Sequence, residues 1–584
     1  MFSRYYQSEL AFLREMGREF GLANPSVAGM LAERGGDPDV ERLLEGFAFL
    51  TARVRERLDG GVPELVQGLC QLLLPHFLRP LPAATIVEFT PQARLLRGRT
   101  RIDRGAEVAS HPVDESNTGC LFQTTANVDL LPLALQEVSE DTRVASAPMI
   151  RLSFQTTEQG RAEVLRPEGI RLFLHGELPV ASTMLLWLTR YLRATWVRDS
   201  TTGKGVRLPP TAIRAVGLGS ELKLFPWPDR APEGYRLLQE YFALPQKLLF
   251  LDVRELDHAM GVVGPQFEIC FELDRPPPLG GRITRELFRL HCVPAINLFQ
   301  TTAEPIAHRL VGEEHLIRAA GLHPTQMEVF SVDGVFSQRP GRGEREEIPP
   351  LMAFEHGRQK GPVAPFYQLR RAPSVLDEGY DTFLSLGMTS DGPPRFGDET
   401  LSLELTCTHR SLPTRLQISD LSLATGRSPT VARFRNITPV SKPLRPPLDR
   451  ELHWRLLSHL ACNFRSLAEA EALRGLLELY NFQAEADLPA GRANQRRIAA
   501  ISHVEVTPIQ QLLGGAPIRG CQTRLDLEDA QLAGPGDAFL FGAVIDELLA
   551  EHVTLNAFNA LTVTLRPSGM ELVFPPRSGR DLLL

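Results

Sequence analysis

Cysteine is scarce and scattered in this chain. Its 584 residues include seven, at Cys70, Cys120, Cys270, Cys292, Cys407, Cys462 and Cys521. The number is odd and no CxxC pair occurs, so a disulfide framework is excluded as the organising device. Cys270, within Phe267-Glu-Ile-Cys-Phe271, has the apolar neighbours of a small core residue. Lysine is scarcer still, with five among 63 basic residues. Arginine pairs with carboxylates in a planar, bidentate way that suits interfaces, although biased codon usage produces the same skew. No run of 18 apolar residues occurs, so no segment is expected to span a bilayer. Met184-Leu-Leu-Trp-Leu188, among the greasiest stretches, has strand length. The start, MFSRYYQSELAFLREMGREF, lacks the apolar core and cleavage site of a signal peptide. A reducing cytoplasm is the expected compartment. Basic charge is in deficit: the net charge is −7 and the pI about 6.1. That argues against nucleic-acid binding by whole-protein electrostatics.

Catalytic motifs are also missing. Gly426-Arg-Ser428 opens like a nucleophile elbow, but Thr430 stands where the closing glycine belongs. Gly203-Lys-Gly205 lacks the spacing of a phosphate-binding loop. For metals, His459 and Cys462 have helical i, i+3 spacing, and His291-Cys292 and Cys70 with His76 are the other close pairs. None has the paired spacing of structural zinc, and each lacks a third ligand. Asp252, Glu255 and Asp257 cluster after Leu248-Leu-Phe-Leu251. A glycosidase needs two carboxylates, but a solvated loop is the plainer reading. Trp187-Leu-Thr-Arg-Tyr-Leu-Arg193 interleaves basic and aromatic residues as a single-strand binder would. Its apolar flanks favour a packed strand or helix. The sequence therefore predicts no catalysis, no cofactor and no bound metal.

What is present reads as α+β and multidomain, with helical N- and C-terminal regions flanking a predominantly β centre. Residues 1–81 are expected to be helical. Phe2, Tyr6, Leu10, Leu13 and Phe20 recur at mostly helical spacing. Val40, Leu43, Phe47, Leu50, Val54 and Leu58 repeat it after the cap Asp37-Pro38. A third helix is expected after Pro63, ending near Pro75. Residues 82–290 form a first β-rich region with inserted helices such as Gly234–Phe242, and 291–437 a second. Early strand signals are Ala84–Thr90, Cys120–Thr125, Arg151–Phe154 and Gly169–Leu174. Arg101–Val108 reads as strand, turn, strand about Gly105. Ser337 to Gly361 reads as an exposed loop. Thr438 to Pro447 is a proline-rich linker. Residues 448–584 are expected to be helical with terminal strands, including helices at about 449–461 and 537–558. Ser466 and Glu469 have the spacing of a capping box, ahead of Leu473, Leu476, Leu477 and Tyr480. The apolar stripes on the terminal helices suit either an internal bundle or one completed by another chain.

Seven stretches, taken in order, carry a resemblance. They are Phe47–Asp59, Leu74–Pro82, Gly234–Pro245, His291–Phe299, Glu328–Gly334, Trp454–Leu460 and Phe541–Asp546. The series resembles the TssF family (also called ImpG or VasA), baseplate wedge subunits of bacterial type VI secretion systems. The resemblance implies a non-enzymatic part of a contractile-tail baseplate, related to the wedge proteins of contractile phages. It implies two copies joined to one TssG, TssK adaptors attached through TssG, and six wedges around a spike that receive sheath and inner tube. It places the protein in the bacterial cytoplasm, docked at the inner face of the membrane through the baseplate. A carbohydrate-active enzyme built from β domains and a phage-tail baseplate protein are the rival readings. From the helical faces, Leu10, Leu13, Phe47, Leu50, Leu477, Val544, Ile545 and Leu548 are expected to face a partner helix of TssG. Two identical chains on one asymmetric TssG are expected to adopt two conformations. Pro75–Pro82 and Thr438–Pro447 are the candidate hinges.

Overall fold

The structure, a computed structural model, describes residues 2–23, 38–92, 96, 98–113, 118–141, 148–228, 231–281, 283–308, 313–338, 345–351, 365–388, 399–446, 448, 466–513 and 516–579. The expected helix at about 449–461 and the His459/Cys462 pair lie outside these residues. The described residues combine helices with many β-sheets. The chain divides into two compact units. One comprises residues 1–78 and 448–456, the other 79–447 and 457–584.

The first unit is built on two packed helices, α1 (Phe2–Ala23) and α2 (Pro38–Leu73). Pro38 opens α2, where its missing N–H costs nothing. The break expected at Pro63 is absent, because α2 runs through it for 36 residues. An interior proline removes one hydrogen bond and strains one turn, and here the ladder continues on both sides. Ala48 and Ala52, one turn apart, are fully buried.

In the second unit, a six-stranded antiparallel sheet runs in the order 421–423, 107–110, 121–124, 292–296, 84–91, 432–436. It draws strands from both sides of residue 291. Gly105 takes φ +88, and the turn it makes carries the chain from one sheet to another. Leu81 and Leu444 bridge antiparallel beside this sheet, through N–H to carbonyl bonds of 2.7 and 2.8 Å. The segment expected as a proline-rich linker is thus strapped to the sheet as far as Leu444.

Residues 299–408 form a β-sandwich. Strand Glu399–Thr408 alternates in burial, with Leu401, Leu403, Leu405 and Cys407 inward, as a period of two requires. Leu384, Leu386 and Tyr367 of the facing three-stranded sheet share this core.

Met184–Leu188 is helical and not a strand. It lies in α3 (Leu178–Arg190), where Ala181 through Leu188 are all buried. A helix buried all round has no polar face, so its sequence cannot be told from a buried strand by periodicity. The helix expected at Gly234–Phe242 is α4 (Glu233–Ala243), with Pro245 after it. Ser466–Ala468 form a short 3-10 turn, and Glu469 is the cap of α5 (Ala470–Leu479) without a side-chain capping bond. The capping box is therefore not formed, although Leu473, Leu476, Leu477 and Tyr480 are all buried. α6 (Leu488–Ala499) follows.

The C-terminal region is more β than expected. Strands Ile501–Leu513 and Ala516–Glu528 form a long hairpin. α7 (Pro535–Ala550) then crosses over to strand Ala557–Arg566, which lies parallel to Ala516–Glu528. α7 is shorter than the predicted 537–558, and every residue from Gly536 to Ala550 is buried. Two glycines allow this. A Cβ on Gly536 would lie 2.1 Å from the Thr183 nitrogen of α3, and one on Gly234 would lie 2.9 Å from Leu548 Cα. Asp537 in the first turn of α7 accepts from Arg497 of α6 at 2.9 Å and from the Tyr241 hydroxyl of α4 at 3.3 Å. That pairing satisfies a carboxylate at a helix N-terminus and ties three helices together.

Candidate functional site

The functional candidates fall in two places. α1 and α2 leave large apolar side chains open. Leu43, Phe47 and Leu50 lie at i, i+4 and i+7 on α2 and are 73%, 61% and 63% exposed. Phe12 and Met16 are exposed one turn apart on α1. Leu10 is buried and Leu13 partly so. Together these side chains leave apolar surface open on both helices.

The other nominated residues are placed differently. Leu477, Val544, Ile545 and Leu548 have no exposed surface within the second unit. Tyr480, at the C-cap of α5, stacks on Tyr235 of α4 with ring centroids 5.1 Å apart, so this helix packs on the chain's own core. The stripe on α7 reads as unpartnered in the sequence because α3 and α4, which cover it, lie about 360 and 300 residues earlier in the chain.

The polar candidates are committed to structure. Asp252 is buried and binds Arg171 in a fork at 2.7 and 3.1 Å, with Arg254 at 2.9 Å. It belongs to an ion-pair cluster and not to the solvated loop expected. Ser428 donates to the Glu107 carbonyl and accepts from Thr425 N–H in a turn. Burial pushes the Cys70 and Cys270 thiols up to about 11 and Cys407 to about 12, so they are inert at neutral pH. Burial also pulls Lys247 down to about 8, opposed by Glu240. A lysine so shifted would suit nucleophilic chemistry, but its Nζ donates to Glu240 at 2.5 Å inside a sealed cluster with Arg236. His291 is buried and accepts from Leu131 N–H at 3.1 Å, which accounts for its place beside Cys292.

A cleft of 520 Å³ is lined by Arg99, Arg101, Arg171 and Arg254 against Asp129, Glu168, Glu221 and Asp252, so its charges match. One cluster escaped the sequence reading: His308, Glu313 and His315 converge. Their spacing, H-x4-E-x-H, fits none of the usual zinc patterns. The readable signal was that Glu313 and His315 sit two apart around a strand, and so on one face. Among the described residues no helix is long and apolar enough to cross a membrane.

Buried thiols, ion pairs held in the core and an apolar stripe open on two helices suit a subunit of a larger assembly. The comparisons give that class a family. The family described as "Type VI secretion system, TssF" matches residues 1–581, and the chain belongs to it. It is 31% identical over 597 aligned positions to the type VI secretion system component TssF1 of Pseudomonas aeruginosa, covering 95% of each chain. It is also similar to a chain in the cryo-electron microscopy structure of the type VI secretion system TssK-TssF-TssG baseplate subcomplex. There the TM-score is 0.79 and the identity 32%, over 93% of this chain and 100% of that one. A chain in a structure of the type VI secretion baseplate complex matches with a TM-score of 0.64 and 30% identity, over 100% of both. The family and these neighbours are those of a structural baseplate component.

Proposed function

We propose that this chain is a structural subunit of a type VI secretion baseplate wedge, acting without catalysis. Two copies join one TssG, TssK attaches through TssG, and the wedges help dock sheath and tube onto spike and membrane complex. The protein works in the bacterial cytoplasm, at the inner face of the membrane through the baseplate. The observation that carries this reading is the match to the family along 1–581, with relatives from TssK-TssF-TssG and baseplate assemblies.

The exposed stripe refines how TssG is held. A partner helix reaches only what is exposed, so Leu43, Phe47 and Leu50 of α2 and Phe12 and Met16 of α1 are the contact residues. Leu10 and Leu13 support that face from beneath. Leu477, Val544, Ile545 and Leu548 act indirectly, by holding the second unit together. The two copies differ by discrete settings at those ends of 75–82 and 438–447 that lie beyond the Leu81–Leu444 bridge. The units divide at 78/79, inside the first segment, and at 447/448, at the end of the second. Three prolines in the first and four in the second favour few settings over a floppy tether.

The test is co-purification with TssG in cells that make both. Phe47→Asp with Leu50→Asp should abolish it while the variant keeps its melting temperature. A folded double variant that still brings down TssG in wild-type yield would overturn the assignment of the surface.

A further inference from the structure

The sandwich of residues 299–408 joins its two sheets through an unusual contact. His308 ends strand Ile306–His308, which pairs with Glu399–Thr408 in the five-stranded sheet. His315 lies in strand Glu314–Leu316, which pairs with Tyr380–Met388 in the three-stranded sheet. The two imidazoles meet across the sheets, His308 Nδ1 lying 2.9 Å from His315 Nε2. Their rings stand edge to face, at 72° with centroids 5.2 Å apart. Glu313 shares a face with His315 and sets its Oε2 3.9 Å from the same Nε2. One ligand atom from each of the three residues lies within 4.8 Å of the others.

We propose that His308 Nδ1, His315 Nε2 and the Glu313 carboxylate form a binding site for a divalent transition cation of the zinc type, which staples the two sheets of the sandwich. Two imidazole nitrogens and one carboxylate suit zinc, and suit calcium or magnesium poorly because those take oxygen. Zinc–nitrogen bonds of about 2.0–2.1 Å at a tetrahedral angle hold two nitrogens about 3.3 Å apart. The observed separation needs to open by only a few tenths of an ångström. One wall is sealed, since His308 is fully buried. The other is open, since the Glu313 side chain is 46% exposed and offers an entry path and room for a water as fourth ligand. The metal cross-links two sheets that also share an apolar core and the bond from Arg371 to the Phe330 carbonyl.

The test uses untagged full-length protein stripped with EDTA and titrated with Co²⁺, then Zn²⁺. The expected result is one Co²⁺ per chain, with visible d–d bands of nitrogen and oxygen ligands and no thiolate charge-transfer band. Zn²⁺ should displace it and raise the melting temperature. His315→Ala should lose binding and that rise in melting temperature. Glu313→Gln, at a half-exposed position, should weaken binding while leaving the metal-free melting temperature unchanged. Absence of saturable binding, a thiolate band, or wild-type binding by folded His315→Ala would each overturn the proposal, leaving an imidazole–imidazole hydrogen bond only.

Discussion

Asn297 and His409 clasp each other through two hydrogen bonds in the interior. The Asn297 side-chain amide donates to His409 Nδ1 at 2.9 Å, and His409 N–H donates to Asn297 Oδ1 at 2.8 Å. Asn297 also donates to the Leu121 carbonyl at 2.7 Å. Both amide protons are thus used, and His409 Nδ1 must be an acceptor, which places the neutral ring's proton on Nε2. The pair fastens the end of the six-stranded sheet to the end of the sandwich.

This clasp makes the protein acid-sensitive. Burial holds His409 at about 4, and likewise His291 at about 4, against an ordinary 6.5. The unfolded chain takes up these protons as pH falls below 6.5, and the folded chain does not. Stability from both groups is therefore complete above that value and is lost as pH falls toward 4. At pH 5 the loss is about 2 kcal/mol for each. Asp546 works in the opposite direction. Burial raises it from 3.8 to about 6, opposed by its partner Arg577, so its stability contribution is lost as pH rises through that window. Two histidines outweigh one aspartate. Melting temperature should fall between pH 6.5 and 4, less steeply in His409→Gln and more steeply in Asp546→Asn. A flat profile in the wild type would contradict this.

The two apolar stripes should respond differently to substitution. Leu548→Ala on α7 should cost about 2–5 kcal/mol in chemical denaturation, because the surrounding helices cannot collapse onto the gap. Leu50→Ala on α2 should change stability by less than about 0.5 kcal/mol and act only on partner binding. Equal losses for the two would remove the distinction between core and contact surface.

Gly536 offers a sharper probe of the core. A methyl there meets the backbone of α3, which cannot swing aside as a side chain would. Gly536→Ala should therefore destabilise by about 1–3 kcal/mol, although alanine has the better helix propensity. A stabilised variant would show that α3 and α7 do not cross at this point.

The cluster around Glu240 gives a fourth test. Its carboxylate takes Lys247 at 2.5 Å, Arg236 at 2.7 Å and the Leu224 N–H at 2.7 Å. Glu240→Gln leaves the buried Lys247 facing a neutral amide, while Arg236 keeps Glu233 at 2.6 Å, and should cost about 3–5 kcal/mol. Urea denaturation of the pair Glu240→Gln and Lys247→Met against the single variants would measure their coupling. Additive effects would argue against a shared cluster.

The sequence was legible where a period was clean. The signals at Ala84–Thr90 and Gly169–Leu174 coincide with strands Ala84–Pro91 and Ile170–Leu174, and α4 falls within a residue of Gly234–Phe242. The fold was illegible where burial erased the pattern. Ala181–Leu188 is apolar and small-polar on all sides, so helix and strand look alike. The stripe on α7 advertised a partner that proved to be α3 and α4 of the same chain, a relation no local pattern encodes. The Ser466 box failed because the chain starts α5 at Glu469. The His308, Glu313 and His315 cluster needed two sheets to be stacked before its members met.

The proposed wedge holds two copies of this chain on one TssG. Native mass spectrometry of the complex purified from cells making both proteins tests it most directly. The expected result is a dominant species with the mass of two such chains and one TssG. A dominant one-to-one species, or a complex with no TssG, would contradict it.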